Sequence, residues 1–275
     1  MTSRATLPAG FDPTNPVAPT AEVWAALTEG ERAAVCAALP VHVEHDFMSE
    51  GDAHARAVLE SSEMLVHHFG GGGSGNRQIY IGKSIMVYYP GEAGVAPDLF
   101  LVFDVADHDR NSYVVSAEGR PLDFVLEVIS EGDAKKDLDR NVALYARLGI
   151  PEYFVLDLNR RRLHGFRLPE GASTYRQVMP QLGHIESEVL GLHLGLEGTR
   201  LRFYVGQAAL PTARELRARI QASLDEVTES LRTEAQRAET EAQRAETEAR
   251  RAAEALARIA ELERRLAELT RREPA

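Results

Sequence analysis

The alternation of apolar and polar positions divides this chain into three regions. Residues 1–20 hold four prolines and no hydrophobic period, so they predict an extended or disordered lead-in. From residue 21 the pattern turns helical. "AEVWAALTEGERAAVCAAL" predicts a short helix with Trp24, Leu27, Val35 and Leu39 at buried positions. "MSEGDAHARAVLESSEMLVHHF" opens on a Ser49 to Asp52 start signal and places Ala55, Val58, Leu59, Leu65 and Val66 on one stripe, an amphipathic helix that stops at Gly70. Strand patterns rich in aromatic and branched residues then follow one another: "QIYIGKSIMVYYP", "DLFLVFDV", "LDFVLEVIS", "EYFVLDL" and "RRLHGFRL". A helix at about 137–148 interrupts them, and further short strands are expected over 175–205. Mixed strands with flanking helices predict an α/β (α+β) domain over residues 21–207, built on a mixed central sheet.

The remainder differs in kind. Over 212–272 glycine is absent and "TEAQRAE" repeats with a seven-residue period, which predicts one long helix. Leu224, Leu231, Ala238, Ala245, Ala252, Ile259 and Leu266 mark one seam position. The position three residues later holds Val227, Glu234, Glu241, Glu248, Ala255, Leu262 and Leu269. The seam is apolar at both ends, with alanine beside glutamate in its middle. Such a helix is expected to self-associate as a coiled-coil homodimer; the alternative is a solitary helix carried by Glu/Arg pairs worth only ~0.2–0.5 kcal/mol each.

Composition narrows the function classes. A formal net charge of −11 argues against coating nucleic acid by general electrostatics but leaves room for a local basic groove. A single cysteine, Cys36, excludes an internal disulfide and a cysteine-based zinc site. The opening residues do not resemble a signal peptide, and no run approaches the roughly 20 apolar residues a membrane helix needs, so a soluble, cytoplasmic protein is expected. "GGGGSGN" at 70–76 lacks the Lys-Ser/Thr ending of a phosphate loop and reads as a connector.

The candidate chemistry lies in "LDFVLEVIS". Strand alternation sets Asp123, Val125, Glu127 and Ile129 on one face and Phe124, Leu126 and Val128 on the other. A carboxylate among core residues needs a partner, because a buried unpaired charge costs several kcal/mol. Asp98, in "APDLFLVF", is the acid that meets Glu127 if their strands are neighbours. Two converging carboxylates form a site for a hard cation such as Mg²⁺ or Mn²⁺, which can activate water and neutralise a phosphodiester.

The order "PD", then "LEVIS", then "KKDLDRNVALYARLGIPEYFVLD" resembles the Uma-two family of restriction-endonuclease-type proteins within the PD-(D/E)XK nuclease superfamily. The resemblance spans roughly residues 41–207. It implies a restriction-endonuclease-like core, metal-dependent DNA cleavage, Asp98 and Glu127 as metal ligands, and Asp123 as an accessory acid. The lysine usual two residues after the acid is replaced by Ile129, and the lysine of the following helix by Asn141. Lys135 and Lys136, in the loop before that helix, are the substitutes expected to supply positive charge. Asn141 and Arg140 are candidates for substrate phosphate.

Other polar residues have quieter explanations. Tyr145 and Tyr153 read as packing residues. His42 and His45 are spaced like a ligand pair without a third member, and His67 and His68 suit a helix C-terminus. His54, Glu50 and Glu60 lie on or just before the first core helix, and Glu50 and Glu60 are further candidate acids. A hydrolase using Ser130 or Cys36 lacks a base nearby in sequence. Two readings remain: a Mg²⁺-dependent endonuclease acting on DNA, and a catalytically silent nuclease fold serving as a dimeric interaction module.

Overall fold

The structure, a computed structural model, describes residues 7–8, 11–12, 17–41, 51–70, 77–130 and 136–270; the side chains of 136, 137, 269 and 270 lie outside the description. The chain separates into a globular unit through Ala213 and a second unit from Arg214.

The first stretch forms two helices rather than one, α1 (Ala21–Ala26) and α2 (Glu29–Ala38). Thr28 breaks them apart through a reciprocal cap: its Oγ1 accepts from the Glu31 amide at 3.3 Å and its own amide donates to Glu31 Oε2 at 2.8 Å. Helix α3 (Asp52–Gly70) follows.

"QIYIGKSIMVYYP" also divides. β1 (Ile79–Gly82) and β2 (Met86–Tyr88) join different sheets, and Ser84 between them takes a left-handed φ of 49° that ends the extended run. Gly82 faces Phe100 so closely that a Cβ would lie 2.1 Å from the ring, so only glycine fits there.

The later elements are β3 (Leu99–Phe103), β4 (Ser112–Val114), α4 (Val115–Glu118) and β5 (Phe124–Ile129). A π-helical segment (Lys136–Arg140) leads into α5 (Asn141–Arg147), and β6 (Glu152–Asp157), β7 (Arg162–Arg167) and β8 (Arg176–Val178) come next. The globular unit closes with β9 (His184–Ser187), β10 (Leu192–Glu197), β11 (Arg200–Val205) and β12 (Ala208–Ala209).

The central sheet has the order β1-β3-β5-β6-β7-β8 and is mixed: β5 and β6 are parallel, joined through α5, and the other neighbours are antiparallel. β9 to β12 form a second, antiparallel sheet, and β2 pairs parallel with β4. The alternation along β5 sorts its side chains between two cores. Phe124, Leu126 and Val128 pack with α3 residues Val58, Met64 and Leu65 and with Leu194, Leu201 and Phe203 of the second sheet. Val125 and Ile129 face the other way, against Tyr145, Ile150 and Tyr153. Both faces of β5 are therefore covered, as expected for a strand with a parallel neighbour.

The second unit consists of one continuous helix, α6 (Ala213–Thr270). Its seam residues are exposed, Leu224 at 55% and Leu266 at 70%. Side-chain pairs along it include Arg250 with Glu254 and Arg265 with Glu261, each 3.1 Å apart. Among the described residues no helix is long and apolar enough to cross a membrane.

Candidate metal and phosphodiester site

The register of β3 and β5 builds the site. Leu99 lies opposite Leu126, Phe100 opposite Val125 and Leu101 opposite Phe124. One step further, just before β3 begins, Asp98 comes level with Glu127. Two acids 29 positions apart thereby become cross-strand neighbours: the Asp98 amide donates to Glu127 Oε2 at 3.1 Å, and the Val128 amide donates to Asp98 Oδ2 at 2.7 Å.

Each carboxylate is also held by side chains from flanking helices. The Tyr145 hydroxyl donates to Glu127 Oε1 at 2.8 Å, and Asn141 Nδ2 approaches the same oxygen at 3.4 Å. Both come from α5, one turn apart, and the π-helical segment before it ends where Asn141 begins. Burial, followed by the negative charge of Glu127, pushes the Tyr145 hydroxyl well above its ordinary value. Tyr145 therefore remains a neutral phenol and a hydrogen-bond donor at physiological pH. From the other layer, His54 near the start of α3 brings Nε2 to 2.9 Å from Asp98 Oδ2. An ionised carboxylate only accepts, so this approach calls for the proton on Nε2. Glu127 is 6% exposed and the Asp98 side chain 16% exposed, so the pair opens outward through Asp98. Among the described residues, Asp98 Oδ1 takes no hydrogen bond.

The other expected residues fall in several places. Asp123 is not brought to the pair. It precedes β5, accepts the Phe103 amide at 2.7 Å, and sits near Arg77, Arg120 and Asp104, with burial raising its carboxyl above the ordinary range. Lys135 lies outside the described residues, as do His42, His45, Glu50 and 71–76; Lys136 starts the π-helical segment, with its side chain outside the description. Arg140 ends that segment on an exposed face. Glu60 pairs with Arg200 at 3.5 Å instead of approaching Glu127. Cys36 is half-buried in α2, and burial pushes its thiol up, away from thiolate chemistry.

Sequence reasoning gave His54 no role and took Tyr145 for packing alone. Tyr145 does both, being 2% exposed and ring-packed on Tyr153 at 5.0 Å. Its spacing of four from Asn141 was a usable signal, since both then share one helix face. His54 left no such signal, because its partner lies 44 residues away.

A third feature is the turn between β6 and β7, where Arg160 and Arg161 lead into Arg162, the first residue of β7. Arg160 binds Asp157 at 3.0 Å, while Arg161 and Arg162 are exposed and, among the described residues, take no ion pair. The turn lies at the end of the sheet where β5 and β6 both finish, because Ile129 is level with Asp157 and Glu127 with Val155. Beside it, Leu158 joins Arg56, Thr199 and Arg200 in lining a shallow cleft.

Comparison with known proteins adds three findings. A family profile with the description "Putative restriction endonuclease" matches residues 46–202, more than half the chain. The crystal structure of a protein described as a "putative nuclease" from Anabaena variabilis aligns over 54% of this chain and 79% of that one, at 12% identity and a TM-score of 0.41. Among curated proteins nothing matches.

Proposed function

The chain belongs to the Uma2 family, and from that membership we propose that its globular unit is a divalent-metal-dependent endonuclease hydrolysing DNA phosphodiester bonds. The observation that carries the reading is the cross-strand meeting of Asp98 and Glu127 at one end of the central sheet. The donor set suits magnesium or manganese. It consists of hard carboxylate oxygens, and Mg²⁺ is commonly held by one or two carboxylates with water completing its shell. Among the described residues no group of three or more His, Cys, Asp or Glu side chains comes together to hold an ion, so the load would fall on Asp98 and Glu127. When bound, the ion would supply Lewis acidity for phosphodiester hydrolysis.

The protein's own groups would fix those ligands. Tyr145 and Asn141 orient the Glu127 carboxylate, and the Val128 amide and His54 hold Asp98 Oδ2. Lys135 and Lys136, on the segment leading to α5, would stabilise developing negative charge. Arg140, Arg161 and Arg162 would hold the flanking DNA phosphates, giving a chain of net charge −11 a local cationic surface where it needs one. A cytoplasmic location and a homodimer formed through α6 complete the reading.

The replacement of the helix lysine by Asn141 favours a second reading, a catalytically inactive nuclease fold acting as a dimeric scaffold. An amide orients a group but brings no positive charge. Titration of Mg²⁺ and Mn²⁺ against plasmid and oligonucleotide substrates, comparing the intact chain with Asp98→Ala, separates the two. Metal-dependent nicking that Asp98→Ala abolishes supports the enzyme; no nicking by the intact chain supports the scaffold.

A further inference from the structure

We infer that α6 pairs with a second copy of itself in antiparallel orientation, centred near Gln243. The inference rests on the self-association proposed above and decides its geometry. The argument starts from the edges of the seam. In the heptad that carries Leu224 and Val227 as its two core positions, the edge beside the first core position holds Ala235, Ala242, Ala249 and Leu256. The edge beside the second holds Arg237, Arg244, Arg251, Arg258 and Arg265. Between residues 234 and 258 one side of the seam is therefore alanine and leucine, and the other is a row of arginine next to Glu234, Glu241 and Glu248.

A parallel, in-register pair would stack Glu234, Glu241 and Glu248 each against its own copy, three successive layers of like charge in the seam. It would also set the arginine edge of each helix against the partner's alanine edge, leaving the charges without complements. Reversing one helix changes both results. Opposed edges then become like with like, so the alanine edge packs on itself, Ala242 on Ala242 of the second copy and Ala235 on Ala249. The glutamates come to face alanine in the core: Glu241 meets Ala245, Glu234 meets Ala252 and Glu248 meets Ala238. Beside each glutamate stands an arginine of the other copy, Arg244 for Glu241, Arg251 for Glu234 and Arg237 for Glu248. The arginine rows that approach one another are thus interleaved with acid.

The same register keeps the apolar ends matched. Leu224 lies against Leu262, Val227 against Ile259, Ile220 against Leu266 and Leu231 against Ala255, and these large side chains are exposed on the single helix, from 52% for Ile259 to 70% for Leu266. Burying them supplies the affinity, and the glutamate layers select the orientation. At 1.5 Å per residue the 58-residue helix is about 87 Å long. The antiparallel pair therefore separates the two helix N-termini by roughly that length.

The test uses cysteine trapping in the full-length chain with Cys36→Ser as background. Leu224→Cys and Leu262→Cys chains are made singly and by co-expression, oxidised, and compared without reductant, with the native chain's mass measured in parallel by light scattering. The expected result is a dimer that crosslinks only when the two variants are together. Crosslinking of Leu224→Cys with itself in a dimer overturns the orientation and leaves self-association standing. A dimer that crosslinks in no combination overturns the role of α6, and a monomer or a trimer overturns the pairing altogether. None of these outcomes depends on nuclease activity.

Discussion

Glu127 and Glu152 are buried acids on the neighbouring parallel strands β5 and β6, and their surroundings differ. Glu152, level with Phe124 at the start of the pair, is 1% exposed and meets a cation: Arg167 Nε is 2.9 Å away, the Glu188 amide donates at 2.9 Å, and the Ser187 hydroxyl donates to its other oxygen. Glu127, toward the other end, faces another acid, and its described donors are an amide, a phenol and a carboxamide. Burial of a carboxylate is therefore no signature of a site by itself. Glu152, held by arginine, ties a loop to a sheet; Glu127 stands beside a second acid, and two adjoining carboxylates concentrate the negative charge that a divalent cation satisfies.

That contrast breaks most sharply on truncation. Glu127→Ala and Asp98→Ala should each lower metal-dependent cleavage by more than about 100-fold, beyond the roughly 10–100-fold typical of supporting groups, in a plasmid-nicking assay. Glu152→Ala should instead lower stability by roughly 3 kcal/mol, the scale for breaking a buried ion pair, while the folded fraction keeps its cleavage rate; denaturant melts and active-fraction titration check this. Equal loss of rate in both variants would erase the distinction.

Next come the groups that hold the pair. Tyr145→Phe and His54→Ala should each weaken Mg²⁺-dependent activity by roughly 10–100-fold, with excess metal recovering part of it. In the intact protein Tyr145 should contribute no titration below pH 10, because its hydroxyl is pushed well above that value. A pH–rate profile that is unchanged in the Tyr145→Phe variant apart from its height is the expected record.

Replacing Arg161 and Arg162 together by glutamate should weaken DNA binding and reduce the dependence of log affinity on log salt by about 0.9 for each phosphate no longer neutralised, with cleavage at saturating DNA little changed. An unaltered salt slope in a filter-binding titration would remove the turn from the DNA surface.

The smallest effect is expected at Asp123. Burial raises its folded-state carboxyl above the unfolded value, so the folded protein holds that proton more tightly and this group's contribution declines as pH rises through the two values. Asp123→Asn should therefore leave cleavage unchanged and shift stability at neutral pH by about 1 kcal/mol or less, in the stabilising direction, because the amide oxygen can still accept the Phe103 amide. Thermal melts at pH 4 and pH 7 read it directly.

Much of this arrangement could be read before any coordinates. The two faces of β5 follow from strict alternation, and the long helix from a seven-residue repeat. The helix break at Thr28 was also legible, since Thr28 and Glu31 form a capping box, yet the apolar stripe on either side of it concealed the interruption. The division between β1 and β2 was less so: it depends on Ser84 adopting a left-handed φ and on two strands finding partners in different sheets. Asp123 shares the strand period of Glu127, but period says nothing about which end of a strand meets a neighbour's acid.

By itself the sequence determined the kinds of element, the side of β5 on which Glu127 projects, and the charge pattern along α6, because these depend on residues within a turn or a pleat of each other. Only the tertiary structure decided that Asp98 stands level with Glu127, that His54 reaches across to it, and that the arginine turn lies at the same end of the sheet. Those facts belong to strand register and layer packing, which are set by the burial of whole faces at once and have no local trace in the chain.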